Sequence, residues 1–595
     1  MKKRIILLSL IFLALFIGVY NRGGHKPAIS DPNQKKSILF SEKLDRTTPG
    51  TFLKPGSIVD GSNMMRPGPG LPIGWKMRGG STKYNTTAIA ADEVKGIWKY
   101  ENSEHNIECF FAQCNDKIYI SSSNPPNTVA TFGTAIYTLD SGTSAAFGEK
   151  INDDMVWAAK GNTPWAYSGG TAWPDRCYIK HEAGTTLYDI ATEDVNNDRI
   201  DQNVLFVQHS GASEQGYIGF RRRLVGASFD FVTGATNIEA SGITFQAYRG
   251  GVWCGVSNLT DGTADPSGVT TCYKSGGRVT WDYNEEDEAI ILPWTVDHYY
   301  WYRFGVTGYV TQGIKAYRIR VHDQCEEMTN LWGGKYNIVL SAFKDSSVSG
   351  YLDYTAELTS GNKYLYMDIG GLTSSDSVIL GFLYQSRGLY LDFDPEYVNG
   401  GTTGGVSVYG WNGGLNTWVA KNVTIDSTSQ EGAPCASKGT IVWDDDDIDD
   451  MRQIGTDFVP LYYYKIVWNF TLPDDIRLIE AGQIPRPDTI PPFPKYAIVK
   501  EYHERALWGP SITHPHGLDF SQVDYPHILM QDGVPNITAR SAGSTGNIFG
   551  PGEPYAIVRF ADWGILGTID PLALYILQGK TQGTIDSMRI SSTVG

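Results

Sequence analysis

The sequence predicts an all-β protein: an interrupted β-propeller, open or incomplete, with two tandem repeated β-sandwich domains inserted in it. Three observations carry this. The 595 residues include 66 Gly and 34 Tyr, and long runs rich in Ala, Leu, Glu and Lys are missing. That balance favours many short strands and turns. One stretch of the chain occurs twice. Short-strand meanders flank the repeat on both sides.

The repeat is read from aromatic anchors. Tyr217-Ile218-Gly219-Phe220 returns as Ile379-Leu380-Gly381-Phe382, and Phe229-Asp230-Phe231 as Leu391-Asp392-Phe393. Val279-Thr280-Trp281-Asp282 returns as Ile441-Val442-Trp443-Asp444, and Tyr300-Trp301-Tyr302-Arg303 as Tyr462-Tyr463-Tyr464-Lys465. All four pairs share an offset of 162 residues, a register that chance rarely keeps. Tyr188 to Glu193 weakly resembles Leu352 to Glu357, which sets the units at about 185–323 and 349–483. Inside each unit apolar and polar residues alternate, as in Ile243 to Tyr248 and Val406 to Tyr409, the mark of half-buried antiparallel strands. A sheet with one apolar face buries it against another sheet, so each unit is expected to be a sandwich, with Trp253, Trp281, Trp418 and Trp443 in its core.

The flanks, 74–184 and 484–595, read as propeller-like blades. Val94 to Tyr100, Ile107 to Ala112 and Lys117 to Ile120 are strand candidates joined by polar turns at Glu101-Asn102-Ser103 and Asn115-Asp116. Further candidates fall at 133–138, 154–158 and 176–180. A connector, 324–348, separates the sandwiches, and Ile484-Pro485-Arg486-Pro487 with Ile490-Pro491-Pro492 forms a stiff linker. The meander resumes at Tyr496 to Val499, Ala506 to Gly509, Tyr555 to Phe560 and Leu572 to Leu577. Antiparallel meanders of this kind build propeller blades.

Arg78-Gly79, Lys83-Tyr84-Asn85 and the Lys117-Ile118-Tyr119 meander resemble the opening blade of tailed-bacteriophage β-propeller structural proteins, and so do Arg505 to Gly509 running into Gly517 to Gln522. The repeated units resemble sandwich domains of phage tail and virion proteins. The matching run is Gly219-Phe220, Tyr248 to Trp253, Asp261-Gly262-Thr263, Gly277 to Trp281 and Tyr300 to Arg303. The second copy keeps Trp411-Asn412-Gly413 but has Ser427 where the turn carries Gly. The resemblance covers roughly residues 74 to 595. It implies a virion structural protein of the tail, hub or connector, with other virion subunits as partners and a homo-oligomeric ring or hub as assembly. Such a propeller is expected to continue with more blades, completed by another chain or lost by truncation.

Two features sit apart from that resemblance. Lys2-Lys3-Arg4 precedes sixteen mostly apolar residues, Ile5 to Tyr20, short for a spanning helix and closer to a signal or anchor segment. Residues 1–20 are therefore read as signal-like or anchoring, and 21–73 as an extended arm. The alternative that follows is a secreted or surface-anchored bacterial protein that binds carbohydrate or mediates adhesion, with host-surface glycan as partner. The net charge of −16 lacks a basic stripe, apart from Arg221-Arg222-Arg223, which argues against nucleic-acid binding.

No cofactor is expected, and candidate sites are few. Asp444, Asp445, Asp446, Asp447 and Asp449 could hold a structural calcium ion, which takes several oxygen ligands; a solvated loop is the plainer alternative. Asp194 to Asp198 has half a calcium-loop pattern, with Leu205 where a bidentate Glu belongs. His514 and His516, near His503 and His527, could face one way along a strand as metal ligands, but no third ligand is evident. Cys254 and Cys272 could bond across a loop, or all seven Cys stay free. No nucleophile elbow, phosphate loop or zinc-protease motif occurs, so the chain is expected not to be an enzyme. Carboxylates are plentiful, but none is singled out as a glycosidase pair. Trp301 or Tyr463 could stack on sugars, against the default of core packing.

Overall fold

A computed structural model describes residues 64–65, 76–77, most of 94–529, and strands between 543 and 591. Residues 1–20 and most of 21–73 lie outside the described residues. The chain divides into two compact units, Met1–Thr86 and Thr87–Gly595. In the first, Met64–Met65 pairs antiparallel with Lys76–Met77. The second is all-β, built of several antiparallel sheets, none of them closed among the described residues. Helix among the described residues is limited to the single turns Thr192–Val195 and Thr355–Thr359.

Four of the sheets are four-stranded. The first is a meander of Val94–Asn102, Ile107–Cys114, Lys117–Ser121 and Phe132–Thr138. Its turns form where Asn tolerates a left-handed backbone: Asn106 and Asn115 have φ of 52° and 55°. Asn102 Oδ1 also accepts the N–H groups of Glu104 and His105, closing the first turn. The second sheet holds Phe147–Ile151, Asp154–Ala158, Trp165–Tyr167 and, from much later in the chain, Glu326–Glu327. The third is Ile498–Tyr502, Arg505–Gly509, Asp519–Phe520 and Gly543–Ser544. The fourth is Glu553–Phe560, Trp563–Ile569, Ala573–Gln578 and Asp586–Ser591.

The first three of these sheets stack face to face. Tyr100, Phe111 and Ile118 of the first share a core with Met155, Trp157 and Trp165 of the second. On the other side of the second sheet, Val156, Ala158 and Ala166 pack with Tyr496, Val499, Ala506 and Trp508. A strand covered on both faces has no polar side to show, and all five residues of Asp154–Ala158 are buried. Full burial of each large apolar side chain stabilises by about 1.5–3 kcal/mol, so Trp157 and Trp508 anchor the layers. Strand Ile498–Tyr502 in turn runs against Glu553–Phe560 of the fourth sheet.

The first sandwich is inserted between the third and fourth strands of the second sheet: the chain leaves at Tyr167 and returns at Glu326. Its larger sheet runs Thr185–Ile190, Arg176–Ala183, Gln215–Phe220, His298–Val306, Ile243–Arg249, Val252–Gly255. Its smaller sheet runs Val204–Val207, Ile314–Asp323, Leu224–Phe231, Gly277–Thr280, Thr260–Asp261. The second sandwich repeats this order. Its larger sheet runs Gly350–Asp353, Ser341–Ser346, Ser377–Phe382, Leu461–Trp468, Val406–Asn412, Thr417–Ala420. Its smaller sheet runs Asn337–Ile338, Arg477–Pro485, Ser386–Phe393, Gly439–Trp443, Val423–Asp426. The repeat register survives to the residue pair: Tyr217 faces Arg303 as Ile379 faces Lys465. Even the β-bulges recur, at Asp230/Phe231 and Asp392/Phe393. In each copy the two sheets share one core, around Phe220, Phe229, Trp281 and Tyr302 in the first and Phe382, Leu391, Trp443 and Tyr464 in the second.

Several details differ from the sequence expectation. Arg176–Ala183, expected with the blades, pairs with Gln215–Phe220 in the first sandwich. The expected connector 324–348 contains the closing strand of the second sheet and two strands of the second sandwich. Trp281 and Trp443 are core residues, but Trp253 and Trp418 are not. Both lie half-buried on edge strands and pack on the face of the larger sheet turned away from the core, Trp253 with Tyr217 and Trp301 and Trp418 with Ile379 and Tyr463. Conversely, Trp301 and Tyr463 are each 1% exposed and offer no surface to a sugar.

Candidate functional site

A dense polar cluster lies where the first sandwich joins the second four-stranded sheet. Arg221, Arg222 and Arg223 follow strand Gln215–Phe220 as its chain turns into Leu224–Phe231. Arg221 Nε donates to Asp154 Oδ2 at 2.7 Å, and its backbone N–H to Asp175 Oδ2 at 2.9 Å. Arg222 Nη2 donates to Asp154 Oδ1 at 2.7 Å and its Nε to Asp323 Oδ2 at 2.9 Å. Arg223 Nη1 reaches Glu326 Oε2 at 3.1 Å. Asp323 also accepts from the backbone N–H of Ser168. Burial alone would raise the Asp154 carboxyl, but Arg221 and Arg222 outweigh it and hold the group well below the usual carboxylate range. For Asp175 burial wins over Arg221, and its carboxyl is pushed up. A set of buried charges this well paired fixes geometry more than it adds stability. The one basic run noted within the acidic chain beyond its first residues is thus paired inside the protein.

A second polar arrangement occurs in both sandwiches at the repeat offset. Tyr302 Oη donates to Asp287 Oδ2 at 2.8 Å and accepts the Leu224 N–H at 2.9 Å. Tyr464 Oη donates to Asp449 Oδ2 at 2.9 Å and accepts the Ser386 N–H at 2.7 Å. The counter-charge differs: Arg249 pairs with Asp287, while Lys421 Nζ lies 2.8 Å from Asp449 Oδ1. Asp449, one of the candidate calcium ligands, is therefore buried and already bound by an ammonium and a phenol. Asp444, Asp445, Asp446 and Asp447 lie outside the described residues. The 162-residue offset would have found this pair, since it aligns Asp287 with Asp449 and Tyr302 with Tyr464.

Between the sandwiches and the Pro-rich linker is a cleft of about 750 Å³, lined among others by Tyr248, Glu288 and Tyr300 on one side and by Arg387, Trp443 and Phe493 on the other. Arg387 Nη1 donates to the Ile291 carbonyl at 2.6 Å, and Asn330 Nδ2 to that of Pro491 at 3.0 Å. His298, also at the cleft, donates from Nε2 to the Ala289 carbonyl and accepts the Trp332 N–H on Nδ1. Burial pushes its pKa down to about 4, so the ring is neutral.

One pair has the form of an activated nucleophile. Ser228 Oγ lies 2.6 Å from His322 Nε2, and His322 Nδ1 lies 2.9 Å from the Gly170 carbonyl. A carbonyl only accepts, so Nδ1 carries the proton and Nε2 receives the Ser hydroxyl. Burial lowers the His322 pKa to about 4. The third partner is a carbonyl, which orients the ring but cannot balance an imidazolium as a carboxylate would. The pair bridges the smaller sheet of the first sandwich to the loop after Tyr167.

The remaining candidates disperse. Asp194 lies in the helical turn Thr192–Val195, and Asp198 lies outside the described residues. His503 occupies a hairpin turn at φ 51° and packs on Tyr502, His527 is buried, and His514 lies outside the described residues. No group of three His, Cys, Asp or Glu could hold a metal among the described residues. All seven Cys are free, Cys254 and Cys272 included. Among the described residues no helix is long and apolar enough to cross a membrane, and Ile5 to Tyr20 lies outside them.

Comparison with protein-family models returns no match, and neither does comparison with curated protein sequences. Among solved structures, the crystal structure of allantoicase from Saccharomyces cerevisiae is similar over 45% of this chain and 76% of that one, at 9% identity and a TM-score of 0.16. A second allantoicase structure covers 46% and 77%, at 10% identity and a TM-score of 0.15. Likeness at this level carries no argument about fold or chemistry.

Proposed function

We propose that the chain is a non-enzymatic structural component of a tailed-phage virion, in the tail, hub or connector region, that works by docking to other subunits. The observation that carries this reading is the Arg221–Arg223 joint. This dense polar cluster is spent on holding an inserted module in fixed orientation to the sheet stack. Rigid attachment of modules serves a protein whose task is position. Three four-stranded antiparallel sheets stacked face to face support the finer reading as part of a β-propeller. The order of the phage-like motifs supports the setting. Mass spectrometry of purified phage particles is the test. Peptides of this chain at a fixed stoichiometry are expected; infectious particles without them would overturn the proposal.

A second reading, a secreted or surface-anchored glycan-binding or adhesion protein, is favoured by a different observation. Half-buried Trp253 carries Arg303 over its ring, and Arg452 lies over Trp411 and Trp418 in the second copy. Beside Arg303 is a groove of about 470 Å³ that includes Gln215, Gln246 and Thr307. Aromatic rings with polar neighbours suit a sugar face. Intact mass with cell fractionation separates the two readings. Loss of about the first twenty to twenty-five residues outside the cytoplasm supports this one, and an intact N-terminus in soluble cytoplasmic protein supports virion assembly.

A further inference from the structure

The outer faces of the two smaller sheets have the same backbone and opposite charge. In the first sandwich, Ser228 stands opposite Arg278 on one neighbouring strand and Arg320 on the other, and Asp230 stands opposite Arg318. Moving each position by the repeat offset gives Tyr390, Thr440, Gly482, Asp392 and Glu480. The strand pairings are the same: Tyr390 opposite Thr440 and Gly482, Asp392 opposite Glu480. The first face thus carries three guanidinium groups against one carboxylate, and the second carries two carboxylates. On a chain of net charge −16, a locally basic sheet face is the exception.

Each face is also incompletely neutralised. In the first, Arg318 Nε pairs with Asp230 Oδ2 at 2.6 Å, while Arg320 approaches the same oxygen only at 3.5 Å and its Nε has no hydrogen-bond partner. Arg278 is exposed, and its guanidinium makes no hydrogen bond or ion pair among the described residues. In the second, Asp392 and Glu480 stand directly opposite each other across the strand pair, an arrangement that is destabilising for like charges. Asp392 accepts from Tyr390 Oη at 3.1 Å, and no lysine or arginine reaches either carboxylate among the described residues. Burial, and Asp392 beside it, push the Glu480 carboxyl up. Each face is covered at one end by its own chain. Gly170 and Thr171 meet His322 on the first, and Ile291 and Trp332 pack on Val442 and Ile484 of the second. Arg278 is exposed, and Asp230, Arg318, Arg320, Asp392 and Glu480 are half-buried.

We propose that the Arg278–Arg318–Arg320 face of one copy docks on the Asp392–Glu480 face of a second copy of this chain, making a head-to-tail contact. The surplus cations of one face match the surplus anions of the other, at equivalent positions of one repeated scaffold. A contact between two different patches generates a ring if its rotation closes and a filament if it does not. This inference rests on the docking function proposed above and names its partner.

The test is a charge swap, read by sedimentation velocity of the full-length chain at low and at about 0.5 M salt, where exposed charges are screened. The wild type is expected to associate at low salt and to dissociate at high salt. Arg278→Glu with Arg320→Glu makes both faces acidic, and Asp392→Arg with Glu480→Arg makes both basic. Each variant alone is expected to lose association by at least about tenfold, since like charges are brought together. An equimolar mixture of the two is expected to regain it, a result that a folding defect would not produce. Circular dichroism checks folding, and the single exposed change Arg278→Glu replaces a variant that fails it. Association of the wild type that neither variant weakens overturns this interface and leaves the docking function standing. A wild type that stays monomeric at every concentration and salt overturns this inference, whereas the docking function itself fails only if infectious particles lack the chain.

Discussion

Replacing Arg222 by Met tests whether the charged joint, and not the sandwich core alone, fixes the first sandwich to the sheet stack. Arg222 is 3% exposed, Asp154 1% and Asp323 4%. Methionine keeps much of the volume and removes the guanidinium. Asp154 retains Arg221, but Asp323 is left with the Ser168 hydroxyl and N–H as its remaining bonds. Breaking a buried ion pair from one side costs about 3–5 kcal/mol. Because Arg221 still neutralises Asp154, the lower end applies, about 3 kcal/mol, equivalent to roughly a hundredfold in local opening. Hydrogen exchange read by mass spectrometry resolves modules that a single unfolding curve would merge. Amides of Asp154–Ala158 and Leu224–Phe231 are expected to lose about two orders of magnitude of protection. Those of Ser386–Phe393 keep theirs, because the second copy has Leu383, Tyr384 and Gln385 where the arginines stand. A loss below about 1 kcal/mol, typical of exposed pairs, or an equal loss in the second sandwich, refutes the argument.

Three further outcomes are expected. Tyr302→Phe and Tyr464→Phe each leave a buried carboxylate and a backbone N–H short of a bond, at about 1–3 kcal/mol; urea unfolding that shows a cost in only one copy speaks against their equivalence. His298 and His322 titrate near 4 in the folded chain and near 6.5 when unfolded, so the unfolded state takes up protons first as pH falls. Stability is full above about 6.5 and drops progressively toward 4, by up to roughly 3 kcal/mol for each ring; thermal melts that stay level between pH 7 and 4.5 would contradict this. In a thiol titration of the native protein Cys254 is expected to react first, because the six other thiols are buried, and all seven react after unfolding; five reactive thiols after unfolding would reveal a disulfide.

Much of the strand grammar was legible in the sequence, because its signals are local. Alternation at Ile243 to Tyr248 and the turn at Asn115-Asp116 depend on residues a few positions apart. The repeat was legible because both copies kept the aromatic residues that fill the same core, so the register of Tyr217 against Arg303 could be carried to Ile379 against Lys465. The candidate sites were much less so. Asp449 stood out as part of a charge run, whereas its partners Tyr464 and Lys421 come from two other strands or their ends.

By itself, then, the sequence determined an all-β chain, its turns, and two copies of one module in a fixed register. Only the tertiary structure decided where the first module is inserted, because the strand that closes the second sheet, Glu326–Glu327, is two residues long and leaves no periodic signal. It also decided what Arg221, Arg222 and Arg223 do. Their carboxylate partners lie between 46 and 103 residues away in the chain. Alternation tells which residues share a side of a strand. Which side is covered, and by what charge, depends on the sheet that folds against it.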